Sequence, residues 1–181
     1  SSLKPQPNLY FGMYVSVHDD NIVVGCPYAR TCSGKAQTEH RGDAAICDGG
    51  IEAAGAVVTY SREDRTNWKW TGTLTLPAMV AYDYFGQSVF TTSSVTGDWL
   101  IAAAHGRDVH DTFDAGAVYA FGKDHDGAWV LRQELTASPR TERAFFGVSL
   151  VANSNGDTLL IGATGETEGS FENAGAAYVF N

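Results

Sequence analysis

The chain has 181 residues, 44% of them hydrophobic and 18% charged, with a formal net charge of −9. That is one domain by length, able to bury roughly 70% of its unfolded surface. The acidic balance argues against nucleic acid, which demands a basic face, and disfavours anionic membrane surfaces. No apolar run approaches the ~18 residues needed for a spanning helix.

Taken in order, the chain reads as strands in a repeated pattern. A first strand opens on Phe-Gly, at Phe11–Val15, Phe85–Val89 and Phe146–Leu150. A polar turn ending in Asp or Asn leads to a short apolar strand at Ile22–Cys26, Leu100–Ala104 and Leu159–Ala163. Its continuous apolar character predicts burial on both faces. A loop precedes the third strand, at Gly55–Tyr60, Gly116–Phe121 and Gly175–Phe180. A fourth begins at a tryptophan: Trp68, Trp70, Leu74 and Leu76 alternate with polar residues, as do Trp129, Leu131 and Leu135 with their neighbours. That is the period of an outer strand, with one dry face and one wet face. Gly55-Ala56-Val57, Trp68, Leu74 and Phe85-Gly86 all recur 61 positions later, which marks an array of repeated units. Glycine and alanine at the strand ends predict close backbone approach near a common axis.

Three motifs carry a family resemblance: Phe85-Gly86-Gln87-Ser88-Val89, Gly156-Asp157-Thr158-Leu159-Leu160-Ile161-Gly162-Ala163, and Gly116-Ala117-Val118-Tyr119-Ala120-Phe121. Together they resemble the FG-GAP repeat of integrin α-chain heads, and more closely the tryptophan-containing variety of secreted and cell-surface proteins. The resemblance covers roughly residues 10–180. It implies an all-β fold, a β-propeller whose blades have four antiparallel strands. The repeats fall at about 10–76, 84–137 and 145–181, in a single region spanning 1–181.

Two features depart from that pattern. Closed propellers carry 4–8 blades, whereas this chain offers three sets of the first three strands and two tryptophan strands. It reads as an incomplete propeller: a fragment of a longer chain, or a subunit whose open edges pair with another copy. The second departure is the loop at 27–54. Cys26 to Gly55 is 29 residues against 12 for Ala104 to Gly116 and for Ala163 to Gly175, so the first repeat carries 17 extra. A long polar loop on a rigid scaffold is a candidate contact surface. It contains Cys32 and Cys47, and Cys26 borders it. A Cys32–Cys47 bridge is the favoured pairing; Cys26 bonded to one of them is the alternative, and Cys26 left as a small buried residue is its bland role.

The insertion holds Arg41-Gly42-Asp43, an integrin-ligand signature when flexible and otherwise an ordinary glycine turn. The resemblance also implies Asp-rich calcium loops between the first and second strands. Asn153, Asn155 and Asp157 are the best partial match here, short of the six to eight oxygens Ca²⁺ takes. Lys123-Asp124-His125-Asp126-Gly127 looks calcium-like but lies elsewhere and includes poor ligands. Asp108, Asp111 and Asp114, with His105 and His110, follow no zinc spacing and read as solvated loop residues, as do Glu166, Glu168 and Glu172. No catalytic residues are assigned, since no nucleophile elbow or phosphate loop occurs.

The expectation is an extracellular or cell-surface module for adhesion or assembly. Its partners would be proteins or further copies of itself, with no nucleic acid and no membrane insertion by this segment, and Ca²⁺ is its candidate cofactor. A carbohydrate-binding propeller, using aromatic residues such as Trp70 or Tyr82, is the alternative.

Overall fold

The computed structural model describes residues 9–32, 49–153 and 156–181, and every regular element in them is a strand. Among the described residues, eleven strands form three antiparallel sheets. The first contains β1 (Tyr14–His18), β2 (Asn21–Cys26), β3 (Ala56–Arg62) and β4 (Trp68–Leu74), hydrogen-bonded in that order. The second contains β5 (Ser88–Ser94), β6 (Gly97–Ala104), β7 (Ala117–Lys123) and β8 (Trp129–Leu135). The third contains β9 (Ser149–Ala152), β10 (Leu159–Ala163) and β11 (Ala176–Phe180), with no fourth strand among the described residues. These are blades of an unclosed propeller.

The sheets stack face to face in series. Val23, Val57 and Leu74 of the first sheet meet Val89, Leu100, Ala102, Tyr119, Phe121 and Trp129 of the second. The opposite face of the second, with Ile101, Ala103, Val118 and Ala120, meets Leu159, Ile161 and Tyr178 of the third. Burying each of the larger side chains contributes about 1.5–3 kcal/mol.

The Phe-Gly pairs do not open strands, as the pattern suggested. They lie just before β1, β5 and β9, with Gly12, Gly86 and Gly147 in left-handed conformation. They act as wedges: Phe85 and Phe146 are fully buried, and their backbones press on the glycine that precedes the third strand of the preceding sheet. A Cβ at Gly55 would lie 2.2 Å from the Phe85 carbonyl oxygen, and one at Gly116 equally close to that of Phe146. Alanine fits at neither, so the small residues do mark close backbone approach.

The outer strands also differ from simple alternation. An extra residue in β4, Thr71, opposite the step from Thr59 to Tyr60, and one in β8, Arg132, opposite the step from Ala120 to Phe121, shift the pairing with β3 and β7. One extra residue reverses the side-chain parity. Trp70 therefore packs in the cluster on the outer face of the first sheet, while Leu74 packs between the first and second sheets. Trp129 and Leu131 likewise face the first sheet, and Leu135 faces the third.

Candidate functional site

Each sheet ends, at the side where its second and third strands join, in a loop pinned by one isolated bridge. The bridges are Thr31 to Ile51, Val109 to Thr112 and Glu168 to Phe171. In the last two the partners are three positions apart; in the first they are twenty apart. The whole insertion is thus threaded between Thr31 and Ile51, whose backbones bond at 3.2 and 2.8 Å. Thr31 is buried, so the base of the insertion is part of the fold.

An aromatic row crosses the same end of all three sheets. The residue before each Phe-Gly is aromatic and left-handed: Tyr10 (φ 49°), Tyr84 (φ 56°) and Phe145 (φ 53°). Ring centroids run Tyr10 to Tyr28 at 4.7 Å, Tyr28 to Tyr84 at 5.3 Å, Tyr84 to His105 at 5.1 Å and His105 to Phe145 at 5.8 Å. Tyr82, also left-handed at φ 69°, adds a ring 6.0 Å from Tyr84. The amides of Tyr82 and Tyr84 donate to the carbonyls of Glu52 and Ala53, which ties the row to the foot of the insertion. Tyr10, Tyr28 and Tyr82 are exposed. Left-handed conformation in bulky residues costs of order 1–3 kcal/mol each and collects at ligand sites. Arg30 and Glu52, 3.5 Å apart, supply charge beside the row.

Within and beside the row lie half-buried and buried polar groups. His105 stacks on Tyr84 with its Nδ1 unpartnered, and burial lowers its pKa to about 4. The neutral ring is therefore the folded form at pH 7. A histidine depressed from 6.5 contributes stability above pH 6.5 that is lost as pH falls toward 4. We expect Tm to drop across that window and His105→Phe to flatten the drop; equal slopes in thermal melts of the two proteins would rule this out. Nearby, Arg107 Nη1 donates to Asp83 Oδ2 at 2.6 Å, and Asp83 is fully buried. Burial pushes the Asp83 carboxyl above its usual range, opposed by the Val80 amide and the Arg107 guanidinium. The third sheet fills the position of Arg107 with Glu166, which accepts from Thr141 Oγ1 and from Tyr178 OH.

The opposite end of the sheets carries a polar clasp. Lys123 Nζ donates to Asn21 Oδ1 at 2.6 Å and Asp98 Oδ2 at 2.9 Å, and Asn21 Nδ2 donates to the same Asp98 oxygen. Burial raises the Asp98 pKa, but the bonds from Lys123, Ser93 and Asn21 outweigh it and hold the group at about 2. An open pocket of about 550 Å³ beside the clasp is lined by Trp99, Lys123 and Arg132 among others.

The residues singled out from sequence fall as follows. Arg41, Gly42, Asp43, Cys47 and Asn155 lie outside the described residues. Cys32 is disulfide-bonded, whereas Cys26 is a free thiol. That corrects the alternative in which Cys26 joins a bridge: it pairs with Ala56 in the sheet, fully buried, and burial pushes its pKa up to about 12. Asn153 and Asp157 close a hairpin turn on each other. Asn153 Nδ2 donates to Asp157 Oδ1, and Asn153 Oδ1 accepts the amides of Asp157 and Thr158. Asp124, His125 and Asp126 hold ligand-type atoms within 4.8 Å, but Asp124 Oδ1 caps the turn through the Asp126 and Ala128 amides. The aromatic row was not read as a site from sequence, although its signal was present: an aromatic residue before every Phe-Gly.

Comparison with protein families matches residues 129–180 to the FG-GAP repeat. No curated protein matches the chain. The matched segment begins at β8 and runs through β11, so it takes the outer strand of the second sheet together with all of the third. FG-GAP repeats generally mediate protein interactions, are generally non-enzymatic and typically occur in extracellular domains. No helix among the described residues is long and apolar enough to cross a membrane. The chain thus carries an FG-GAP repeat at residues 129–180, in line with two preceding sheets built on the same motifs.

Proposed function

We propose that the chain is an extracellular adhesion module that meets protein partners with its insertion-bearing end. The observation that supports this most is the aromatic row across three sheets, with Tyr10, Tyr28 and Tyr82 exposed, Tyr10, Tyr82, Tyr84 and Phe145 on left-handed backbone, and a tie to the foot of the insertion. Rigid tyrosines offer large contact area with little side-chain entropy to lose, as interface anchors do. The insertion carries Arg41-Gly42-Asp43, a tripeptide of integrin-ligand type. A Cys32–Cys47 bridge would tether it.

The test is attachment of integrin-bearing cells to a surface coated with the protein. Deleting residues 33–48, which leaves the Thr31–Ile51 bridge in place, and Asp43→Ala should each cut attachment at least tenfold without changing Tm. Undiminished attachment after both changes overturns the assignment. The exposure of Tyr10, Tyr28 and Tyr82 also favours a second reading, stacking on sugar rings. In that case a glycan array gives signals that Tyr82→Ala abolishes; a flat array removes it.

A further inference from the structure

The polar clasp, at the end of the sheets opposite the aromatic row, sets an amine, an amide and a carboxylate in mutual contact. Lys123 Nζ lies 2.6 Å from Asn21 Oδ1, so the amine faces the carbonyl side of the amide. Asn21 Nδ2 is 2.9 Å from Asp98 Oδ2, and Lys123 Nζ is 2.9 Å from that same oxygen. One carboxylate oxygen therefore touches both nitrogens. Ser93 Oγ donates to Asp98 Oδ1 at 2.7 Å and fixes the orientation of the carboxylate. All three side chains stand on strands: Asn21 begins β2 of the first sheet, and Asp98 and Lys123 belong to β6 and β7 of the second. Both of these sheets have four strands. Groups mounted this rigidly and this close have already met most of the entropic cost of bringing reactants together. Asn21 is 3% exposed, so water reaches its amide poorly and the lysine is the nucleophile at hand. The arrangement is not imposed by the repeat. Trp99 stands five residues before Ala104, where Asn21 stands five before Cys26, so the triad occurs once among the described residues.

We propose that Lys123 and Asn21 join in an isopeptide bond that the protein forms by itself, with Asp98 as the catalytic base and acid, so that the first and second sheets are covalently linked. Asp98 begins as the carboxylate and takes a proton from the Lys123 ammonium. The freed amine attacks Cγ of Asn21; the Nζ–Cγ bond forms and the carbonyl electron pair moves onto Oδ1. Asp98 then delivers its proton to Nδ2, the Cγ–Nδ2 bond breaks and the carbonyl re-forms. Of the three protons on the ammonium, one stays on the new amide nitrogen and two depart with Nδ2 as ammonium. Atoms and charge balance with no oxidant, reductant or cofactor. The open pocket lined by Asp98 and Lys123 gives the leaving group a way out. The link joins residues 102 positions apart, so the two sheets could not separate without breaking it. It lies away from the aromatic row, and neither reading depends on the other.

Intact-mass spectrometry of the full chain, denatured and reduced, is the test. The expected mass is that of the sequence less one molecule of ammonia. A tryptic digest should join the peptide ending at Arg30 to residues 108–132, with no cut after Lys123. Lys123→Met and Asp98→Asn should each show the full mass of their own sequence and give the two peptides apart. Circular dichroism checks that both variants fold, and the joined peptide of the unaltered protein carries the result even where a variant does not. Full sequence mass in the folded, unaltered protein after days at neutral pH would leave a non-covalent clasp and overturn the inference. So would an ammonia loss that persists in Lys123→Met, which places it at another amide, or a joined peptide that forms undiminished in Asp98→Asn.

Discussion

Arg107→Met is expected to destabilise the fold by about 3–5 kcal/mol, the usual cost of stranding one member of a buried ion pair. Asp83 has no exposure to water, and its Oδ1 already lacks a partner. Its Oδ2 keeps only the Val80 amide, at 2.9 Å, once the guanidinium is gone. Arg107 also donates to the Ala78 carbonyl at 3.0 Å, so its loss loosens the segment that leads into β5. Changing both partners, Asp83→Leu with Arg107→Met, should regain most of the loss, because two apolar side chains leave no uncompensated charge. Urea unfolding of the three proteins measures this. A loss below about 1 kcal/mol for Arg107→Met would show that water, not arginine, carries the Asp83 charge.

Phe146→Ala should cost about 3–5 kcal/mol as well, through a different mechanism. The ring is fully buried between the second and third sheets, edge-on to Tyr178 at 5.3 Å and Phe180 at 6.0 Å. The surroundings cannot collapse into the space it leaves, because the Phe146 backbone is fixed by the hydrogen bond its amide donates to the Ala115 carbonyl and by contact with Gly116. The repeat supplies the control. Phe11→Ala, at the equivalent position of the first sheet, where the ring is 47% exposed, should change folding stability by no more than about 0.5 kcal/mol. Similar losses at Phe11 and Phe146 would contradict the burial described for these two rings.

Much of the architecture was legible because it repeats. A spacing of 61 residues set out the sheets, and the longer step from Cys26 to Gly55 disclosed the insertion before its base at Thr31 and Ile51 could be placed. What pattern could not convey was conformation. Phe-Gly looks like the start of a strand when only polarity is read, yet Gly86 at φ 91° turns the chain there. Nor could alternation foresee that a bulge at Thr71 would send Trp70 and Leu74 to opposite faces. The candidate site was less legible still. Tyr10, Tyr28, Tyr84, His105 and Phe145 lie far apart in sequence, and only the stacking of sheets brings their rings together. The pairing of Arg107 with Asp83 follows no local spacing, since it depends on two loops that meet at the end of one sheet.

The stretch from Trp129 to Phe180 begins one strand before the sheet it completes. A unit cut at those limits and copied in tandem would never yield a free-standing sheet. Each new copy would hand its first strand back to its predecessor and borrow its last from its successor, as roof tiles overlap the course below. Duplication would then lengthen the series while every internal sheet kept four strands, and loss of a unit would heal in the same way. The matched segment and the sheet it completes are out of step by one strand, so tandem copies cut at those limits would keep four strands in every internal sheet.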